Sequence, residues 1–542
     1  MHGGVERSSL GSLAERVRAC LRQFDTISLG RRLAASDATI WSDDAEVAGR
    51  IARRLGWIKS PRVGPVREVP AAKGSVMLLG MGGSSLGAEA CACAFGAAER
   101  LRIVDSTIPA AVLDVEAWLP NVTDVVVASK SGDTVETVAL SDYFETRCDN
   151  DVKFHAVTDP GSKLELRAAA HRYASCHLNA PDIGGRFSVL SLFGSVPLRL
   201  AGVDMEGIRG QAATMAARCA AATAAENPGL WLGAVLGAAA VTGCNKILLQ
   251  AAPGLEGLAD WIEQLVAEST GKDGSGLVPV THAEPGGGAE MPADRTVVLL
   301  EWSEMPAGHE DQVADWVRAG VPVVRLALRE PRDIGAEFYR WQVAVAAVGV
   351  VLGINPFDEP DVASAKRRTG EMLRAAEREG GLPLPVPAWS GDRVQLFASG
   401  TAAQNGSGIL ANVVQPTDGG YLGLLAFLPR APVVEVALDS VREALYGPNP
   451  VTLGWGPRYL HSSGQLHKGG PPIGRFLMLT AEDGDDVEIP GRPWTFGTLA
   501  RAQALGDALA LEAAGRPVVR AHLSGSLEPA IAELVRILQP AQ

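Results

Sequence analysis

Two short segments combine glycine, hydroxyls and free backbone N–H groups in the pattern that holds an anion. The first, Gly80-Met81-Gly82-Gly83-Ser84, follows the strand-like run Val76-Met77-Leu78-Leu79 and leads into a small-residue helix predicted over 86–95. Glycines let a backbone turn tightly and approach an anion, while the free N–H groups of the first helical turn point at it. This loop alone fits a dinucleotide phosphate, a sugar phosphate or a merely structural turn. The acidic Asp105 lies about 20 residues further on, where a dinucleotide fold asks for one. Against that, Ser85 stands where the third glycine of G-x-G-x-x-G belongs. The second segment, Ser129-Lys130-Ser131-Gly132-Asp133-Thr134, follows a buried strand predicted at 125–128. Hydroxyls at a helix start hold a phosphate without much formal charge, although the same residues also serve as simple helix caps. A dinucleotide fold has no need of this second cradle. Gly82, Gly83, Ser84, Ser129, Lys130, Ser131 and Thr134 are therefore the candidate phosphate-binding residues.

The elements around these loops follow from hydrophobic periodicity. Residues 1–70 read as an amphipathic helical segment closed by a Pro/Val/Gly connector. Over 71–228, short apolar strands alternate with helices, including strands at 101–104 and 125–128, as in a parallel sheet with crossover helices. The pattern restarts over 229–380, with strands at 247–250, 297–300 and 323–328 and helices at 255–268, 311–319 and 337–352. A Glu/Arg-rich then Pro-rich stretch at 375–387 marks a boundary. Residues 381–542 mix strands at 393–397, 422–427 and 518–522 with helices at 498–514 and 529–538. The chain of 542 residues, with 47% hydrophobic and 20% charged residues, suits a protein with large cores. Its net charge of −13 argues against nucleic acid or an anionic membrane as main partner. The opening MHGGVERSSLG has no apolar stretch behind a basic patch, and no apolar run reaches membrane-spanning length, so a cytoplasmic location is expected. Seven cysteines without zinc spacing read as buried small hydrophobes.

The two loops resemble the signature loops of sugar isomerase (SIS) domains. Asp182-Ile183-Gly184-Gly185-Arg186-Phe187-Ser188 and Asn355-Pro356-Phe357-Asp358 with Pro360, Val362 and Lys366 resemble glucose-6-phosphate isomerase motifs. In the latter, the family usually has Gln, Gly and Glu where this chain has Glu359, Asp361 and Ala363. Gln264, Glu268, Ser269, Gly271 and Lys272 match its Gln-x-x-x-Glu-Ser-x-Gly-Lys pattern. The segment 456–470, with Leu460-His461-Ser462-Ser463-Gly464-Gln465, is similar to the isomerase half of bifunctional transaldolase/glucose-6-phosphate isomerases. The resemblance runs from about residue 30 to the C-terminus. It implies an α/β architecture: two SIS-type, flavodoxin-like parallel-sheet domains, helices on both faces, plus a C-terminal mixed α/β subdomain carrying the 460–470 loop.

The activity implied is aldose–ketose isomerisation of glucose 6-phosphate and fructose 6-phosphate through an enediol(ate), a proton shuttle that needs neither cofactor nor metal. Glu268 is the candidate base. It shares a helix face with Gln264, four residues earlier, and Gly271 reads as the residue that ends that helix. Without the family match, a solvated helix-end carboxylate fits the spacing as well; near the negative end of the helix dipole its pKa should rise. Arg186, always protonated, is the candidate enediolate stabiliser. His461 with Lys366 is assigned to ring opening, and His467 is the rival histidine. His282 and His309 fall in the usual window after the base, but their contexts do not match. Because His461 stands after Lys366, the C-terminal subdomain is expected to deliver it. A non-catalytic SIS-type sugar-phosphate-binding protein and a dual phosphoglucose/phosphomannose isomerase are the alternatives; both a monomer and a homodimer are compatible with the sequence.

Overall fold

The computed structural model describes residues 8–62, 69–221, 223–281, 291–304, 307–382, 385–398, 405–445, 447–482 and 484–539. By compactness the chain divides into two units. The first comprises Met1–Val104, Asn121–Val138 and Asp149–Glu359, and the second Asp105–Pro120, Ala139–Cys148 and Pro360–Gln542.

The first unit holds two all-parallel sheets. Strands β1 (Ser75–Gly80), β2 (Leu101–Val104), β3 (Val122–Ala128), β4 (Lys153–Thr158) and β5 (Ser175–Leu178) form the first, in the order β2-β1-β3-β4-β5. Strands β6 (Lys246–Ala251), β7 (Val278–Thr281), β8 (Arg295–Trp302) and β9 (Val323–Leu328) form the second, in the order β7-β6-β8-β9. The expected α/β architecture is present. The central strands are apolar on both faces, with Met77, Leu78, Leu79, Val125 and Val126 fully buried, as a sheet covered on both sides requires. Three strands lacked a clear sequence signal. β4 begins on Lys153 and carries His155; β5 alternates half-buried and exposed positions at the sheet edge; β7 contains Pro279, tolerable because β7 is also an edge. Cys176 on β5 is exposed, against the expectation of uniformly buried cysteines.

The helix Glu256–Thr270 packs against both Leu86–Ala94 and Ile334–Leu352. A Cβ at Gly257 would lie 2.9 Å from Ala90 Cα, so the first two of these helices are in very close contact. One continuous apolar cluster runs from Leu78 through Trp261 to Val298 and takes in both sheets. The N-terminal helices join it through Val17 and Phe24, and Trp41 Nε1 donates to Ala346 O at 2.9 Å.

The second unit contains a mixed six-stranded sheet, β10 (Trp389–Ser390), β11 (Val394–Phe397), β12 (Tyr421–Phe427), β13 (Val451–Trp455), β14 (Gly474–Ala481) and β15 (Val518–Leu523), in the order β10-β11-β15-β14-β12-β13. β12 to β15 run parallel to their neighbours among themselves, while β10/β11 and β11/β15 are antiparallel. The helix Val362–Glu379, expected on the near side of a boundary at 380, belongs to this unit. It packs against Phe496–Ala513, where the missing side chain of Gly506 admits Thr369. The segments 105–120 and 139–148 also join this unit. Asp105 accepts from Arg458 at 2.8 Å, Thr107 donates to Gln503 at 2.9 Å, and the Tyr143 and Phe496 rings meet edge to face. Asp105 is thus engaged in an ion pair, which removes its sequence-level appeal as a ribose-binding acid. Among the described residues no helix is long and apolar enough to cross a membrane.

Candidate active site

Both anion loops leave the carboxyl ends of neighbouring strands, since Gly80 and Ala128 are register partners. Ligands of open α/β sheets bind at this end. The first loop makes a single 3-10 turn, Gly82–Ser84, with Gly82 at φ +55. A Cβ at Gly83 would lie 2.2 Å from the Gly185 carbonyl carbon, so only glycine allows the turn to touch the Gly184–Arg186 segment. Ser188 Oγ donates to Gly83 O at 3.0 Å and fixes this contact.

The second loop is folded around its own hydroxyls. Ser129, which is buried, accepts from the Gly132 N–H at 3.1 Å, and its Oγ lies 3.2 Å from Thr134 Oγ1. Thr134 immediately precedes the helix Val135–Arg147. Ser131 is exposed and donates to Asp133. Lys130 turns to Asp159, with which it forms an ion pair, and donates to Pro181 O at 2.8 Å. Burial keeps the Asp159 carboxyl above its ordinary pKa despite that lysine. Lys130 therefore ties the second loop to the strand ends and to the start of the Asp182–Ser188 motif, while the hydroxyls and N–H groups form the candidate cradle.

Glu268 and Arg186 stand together. Glu268 is 9% exposed and Arg186 3%. Gln264 Nε2 donates to Glu268 Oε2 at 3.2 Å, as the four-residue spacing predicts. Arg186 Nη1 lies 3.6 Å from Glu268 Oε1, close enough for strong attraction but beyond a good hydrogen bond. Its remaining contacts lock the guanidinium: Nε donates to Ser269 Oγ at 2.8 Å, Nη1 to Glu359 Oε2 at 3.0 Å, and Nη2 to Pro356 O at 2.8 Å and Asp358 O at 3.0 Å. Four of the five N–H donors are spent. The fifth, on Nη1, is held beside the Glu268 carboxylate.

Sequence reasoning did not single out three groups that build this cluster. Lys272, 2% exposed, donates to the Asp358 carbonyl and to Asp358 Oδ1 at 2.9 Å, pinning the Asn355–Asp358 turn to the end of the Glu268 helix. Burial, then the Arg186 charge, lowers the pKa of its ammonium. Ser269 fixes Arg186 from the residue next to Glu268. Glu359, where the family usually has Gln, supplies a second carboxylate to Arg186; burial raises its pKa, but the Arg186 charge and hydrogen bond outweigh that and the net shift is downward. Ser269 and Lys272 stood within the family pattern and Glu359 at a departure from it, but none of their roles was legible in the sequence. Gly271 does follow the helix, but with φ −79 it is not a left-handed cap; the reversal comes at Asp273 and Gly274, both at positive φ.

The other candidate groups lie in the second unit. Lys366 is exposed on the helix Val362–Glu379. His461 is half-buried at the end of the 3-10 turn Arg458–His461. His467, in the following helix Gly464–Gly469, is 2% exposed, with Nδ1 3.2 Å from Tyr421 Oη and its ring against Tyr421 and Phe476. Burial, with the Lys468 and Arg516 charges, drives its pKa well below the ordinary histidine value. Lys468 pairs with Asp507 at 2.6 Å, and Arg516 donates to the carbonyls of His467, Lys468 and Gly470. Gln465 and Asp361 exchange two hydrogen bonds, of 2.9 and 2.6 Å. Thus Asp361, the second departure from the family motif, couples the Lys366 helix to the His461 loop. Of the window histidines, His282 lies outside the described residues, and of His309 only its place in the helix Ala307–Arg318 is described.

Two parallel sheets, paired loops at the strand ends and a buried carboxylate–guanidinium pair define a SIS-type sugar-phosphate isomerase. The comparisons agree. No family model matches the chain. It is 31% identical over 331 residues to the glucose-6-phosphate isomerase of Rubrobacter xylanophilus, covering 50% of this chain and 73% of that protein. It is also 31% identical over 348 residues to the probable glucose-6-phosphate isomerase of Natronomonas pharaonis, covering 56% and 80%. In fold, it matches a hypothetical protein from Thermus thermophilus (TM-score 0.58, 23% identity, 69% of this chain, 100% of that one). A Chlamydia trachomatis glucose-6-phosphate isomerase aligns with TM-score 0.52 at 18% identity, covering 66% of this chain and 86% of that one. The chain belongs to the glucose-6-phosphate isomerase family.

Proposed function

We propose that this protein interconverts glucose 6-phosphate and fructose 6-phosphate, with Glu268 moving one proton between C1 and C2. A 1,2 proton shift needs a base within reach of both carbons and a fixed positive charge for the enediolate oxygens. The observation that carries the reading is the locked Arg186 guanidinium, its fifth donor beside the carboxylate of Glu268. Such a donor costs no reorganisation as charge develops on the substrate. Gln264 orients the carboxylate. The phosphate is assigned to Ser129, Ser131 and Thr134, with the N–H groups of the Gly82-Gly83-Ser84 turn offering further donors to the substrate; Lys130 supports the cradle by holding its neighbours.

Ring opening is assigned to His461 with Lys366. The burial of His467 in an aromatic setting supports His461 over its rival, since a proton relay must reach substrate. The partners in this reading are sugar phosphates alone and the location is the cytoplasm; the charge of −13 supports excluding polyanions. The test is a coupled assay converting fructose 6-phosphate to glucose 6-phosphate with EDTA present. Turnover is expected, and its absence would defeat the reading. Binding of fructose 6-phosphate without turnover would instead establish a sugar-phosphate-binding protein.

A further inference from the structure

The mixed sheet of the second unit has two unlike faces. Side chains alternate along a strand, and Val394, Leu396, Val519, Ala521 and Leu523 point into a fully apolar core. The other face of the same strands carries Gln395, Phe397, Arg520, His522 and Thr480. Register places them in two rows: Gln395, His522 and Thr480 lie side by side across β11, β15 and β14, and Phe397 sits opposite Arg520. Such a face would be ordinary if it were solvated. Here the helix Phe496–Ala513 and the residues Gly380–Leu382, Pro385 and Pro387 line it, leaving a cavity of about 670 Å³, within the usual range for small-molecule sites.

The cavity holds a cation without a countercharge. The Arg520 guanidinium lies 3.9 Å above the Phe397 ring. Among the described residues no carboxylate pairs with it, and burial alone pushes its pKa down to about 10. Arg520 is half-buried, and withdrawing a charge from water without an acid beside it carries a cost. His522, one residue pair along the same strand, has Nδ1 3.0 Å from Thr480 Oγ1, and burial followed by the Arg520 charge lowers its pKa. Arg501 on the covering helix also lines the space. Among the described lining residues the one acid is Glu482, which accepts from the Gly525 N–H at 2.9 Å and raises the pKa of His522.

We propose that this cavity binds a small organic anion, its charged head on Arg520 and Thr480 and its flat apolar body against Phe397 and Leu505. The anion would supply the charge that Arg520 lacks, and the ring would provide stacking area. The site is made wholly of second-unit residues and uses none of the groups assigned to isomerisation, so it stands independently of that reading.

The probe is anilinonaphthalene sulfonate, a flat apolar anion, titrated by fluorescence into the whole protein. Saturable binding of one equivalent is expected, undiminished by saturating glucose 6-phosphate. Arg520→Gln should raise the dissociation constant at least about tenfold, the loss of one charge-assisted hydrogen bond, with isomerase activity unchanged. The uncharged analogue phenylnaphthylamine should bind at least about tenfold more weakly than the sulfonate. Should Arg520→Gln fail to fold, hydrogen exchange on the unaltered protein decides: the sulfonate should protect 394–397 and 518–523. No saturable binding, displacement by glucose 6-phosphate, undiminished affinity in a folded Arg520→Gln, equal affinity for the uncharged analogue, or protection elsewhere would each overturn the proposal.

Discussion

The first unit contains two polar constructions of opposite kinds. The cradle at Ser129–Thr134 is local, formed by residues within five of one another and with Ser131 and Asp133 open to solvent. The Glu268–Arg186 cluster is long-range: Arg186 reaches Ser269 across 83 positions and Glu359 across 173, and both Arg186 and Glu268 are buried. A phosphate can be held by a local turn because it needs only converging donors. A base and its companion cation must be fixed to within fractions of an ångström, which needs a packed surround. The first construction should therefore govern affinity, and the second turnover.

The sharpest break in this contrast is Glu268→Gln. Losing the base should lower kcat by about a thousandfold or more at little cost in KM, read in the coupled assay. Next come the two loop histidines. His461→Ala should lower kcat by about a hundredfold with an unchanged melting temperature. His467→Ala should lower the melting temperature by several degrees, because it empties a buried aromatic cage. Calorimetry beside kinetics separates the two outcomes; full activity in His461→Ala would transfer the ring-opening role elsewhere. Ser129→Ala should act on the other construction, raising KM about tenfold with kcat nearly intact.

The smallest effect belongs to Glu359→Gln. Among the described residues the charges around Arg186 include those of Glu268, Glu359, Lys272 and, through Lys272, Asp358, while Arg54 acts on Glu359. Removing the Glu359 charge leaves Arg186 less compensated and favours ionised Glu268. The acidic limb of the kcat/KM profile should then move to lower pH, by about half a unit to one unit. A shift to higher pH would show that Glu359 acts through packing alone.

How far the sequence could be read follows the same contrast. The glycine turn and the hydroxyl loop were visible because each is one contiguous segment after an apolar strand. The Gln264–Glu268 pair was visible because helical spacing fixes it. The roles of Lys272, Ser269 and Glu359 were not, because they exist only once three distant segments close on one another. Among the strands without a sequence signal, β4 is charged and interior, while β5 alternates and β7 contains proline, both at sheet edges; β10, β13 and β14 of the second unit were not predicted either. The boundary expected at 380 lies twenty residues from the compact division at Glu359, since the packing of Val362–Glu379 against Phe496–Ala513 has no local signature.

The central claim is that Glu268 moves the proton. Isomerisation in deuterium oxide, followed by proton NMR, tests it directly. The unaltered protein should place deuterium at C2 of glucose 6-phosphate formed from fructose 6-phosphate, while Glu268→Gln binds fructose 6-phosphate in calorimetry yet exchanges at least about a thousandfold more slowly. Exchange by Glu268→Gln at the rate of the unaltered protein would contradict the account.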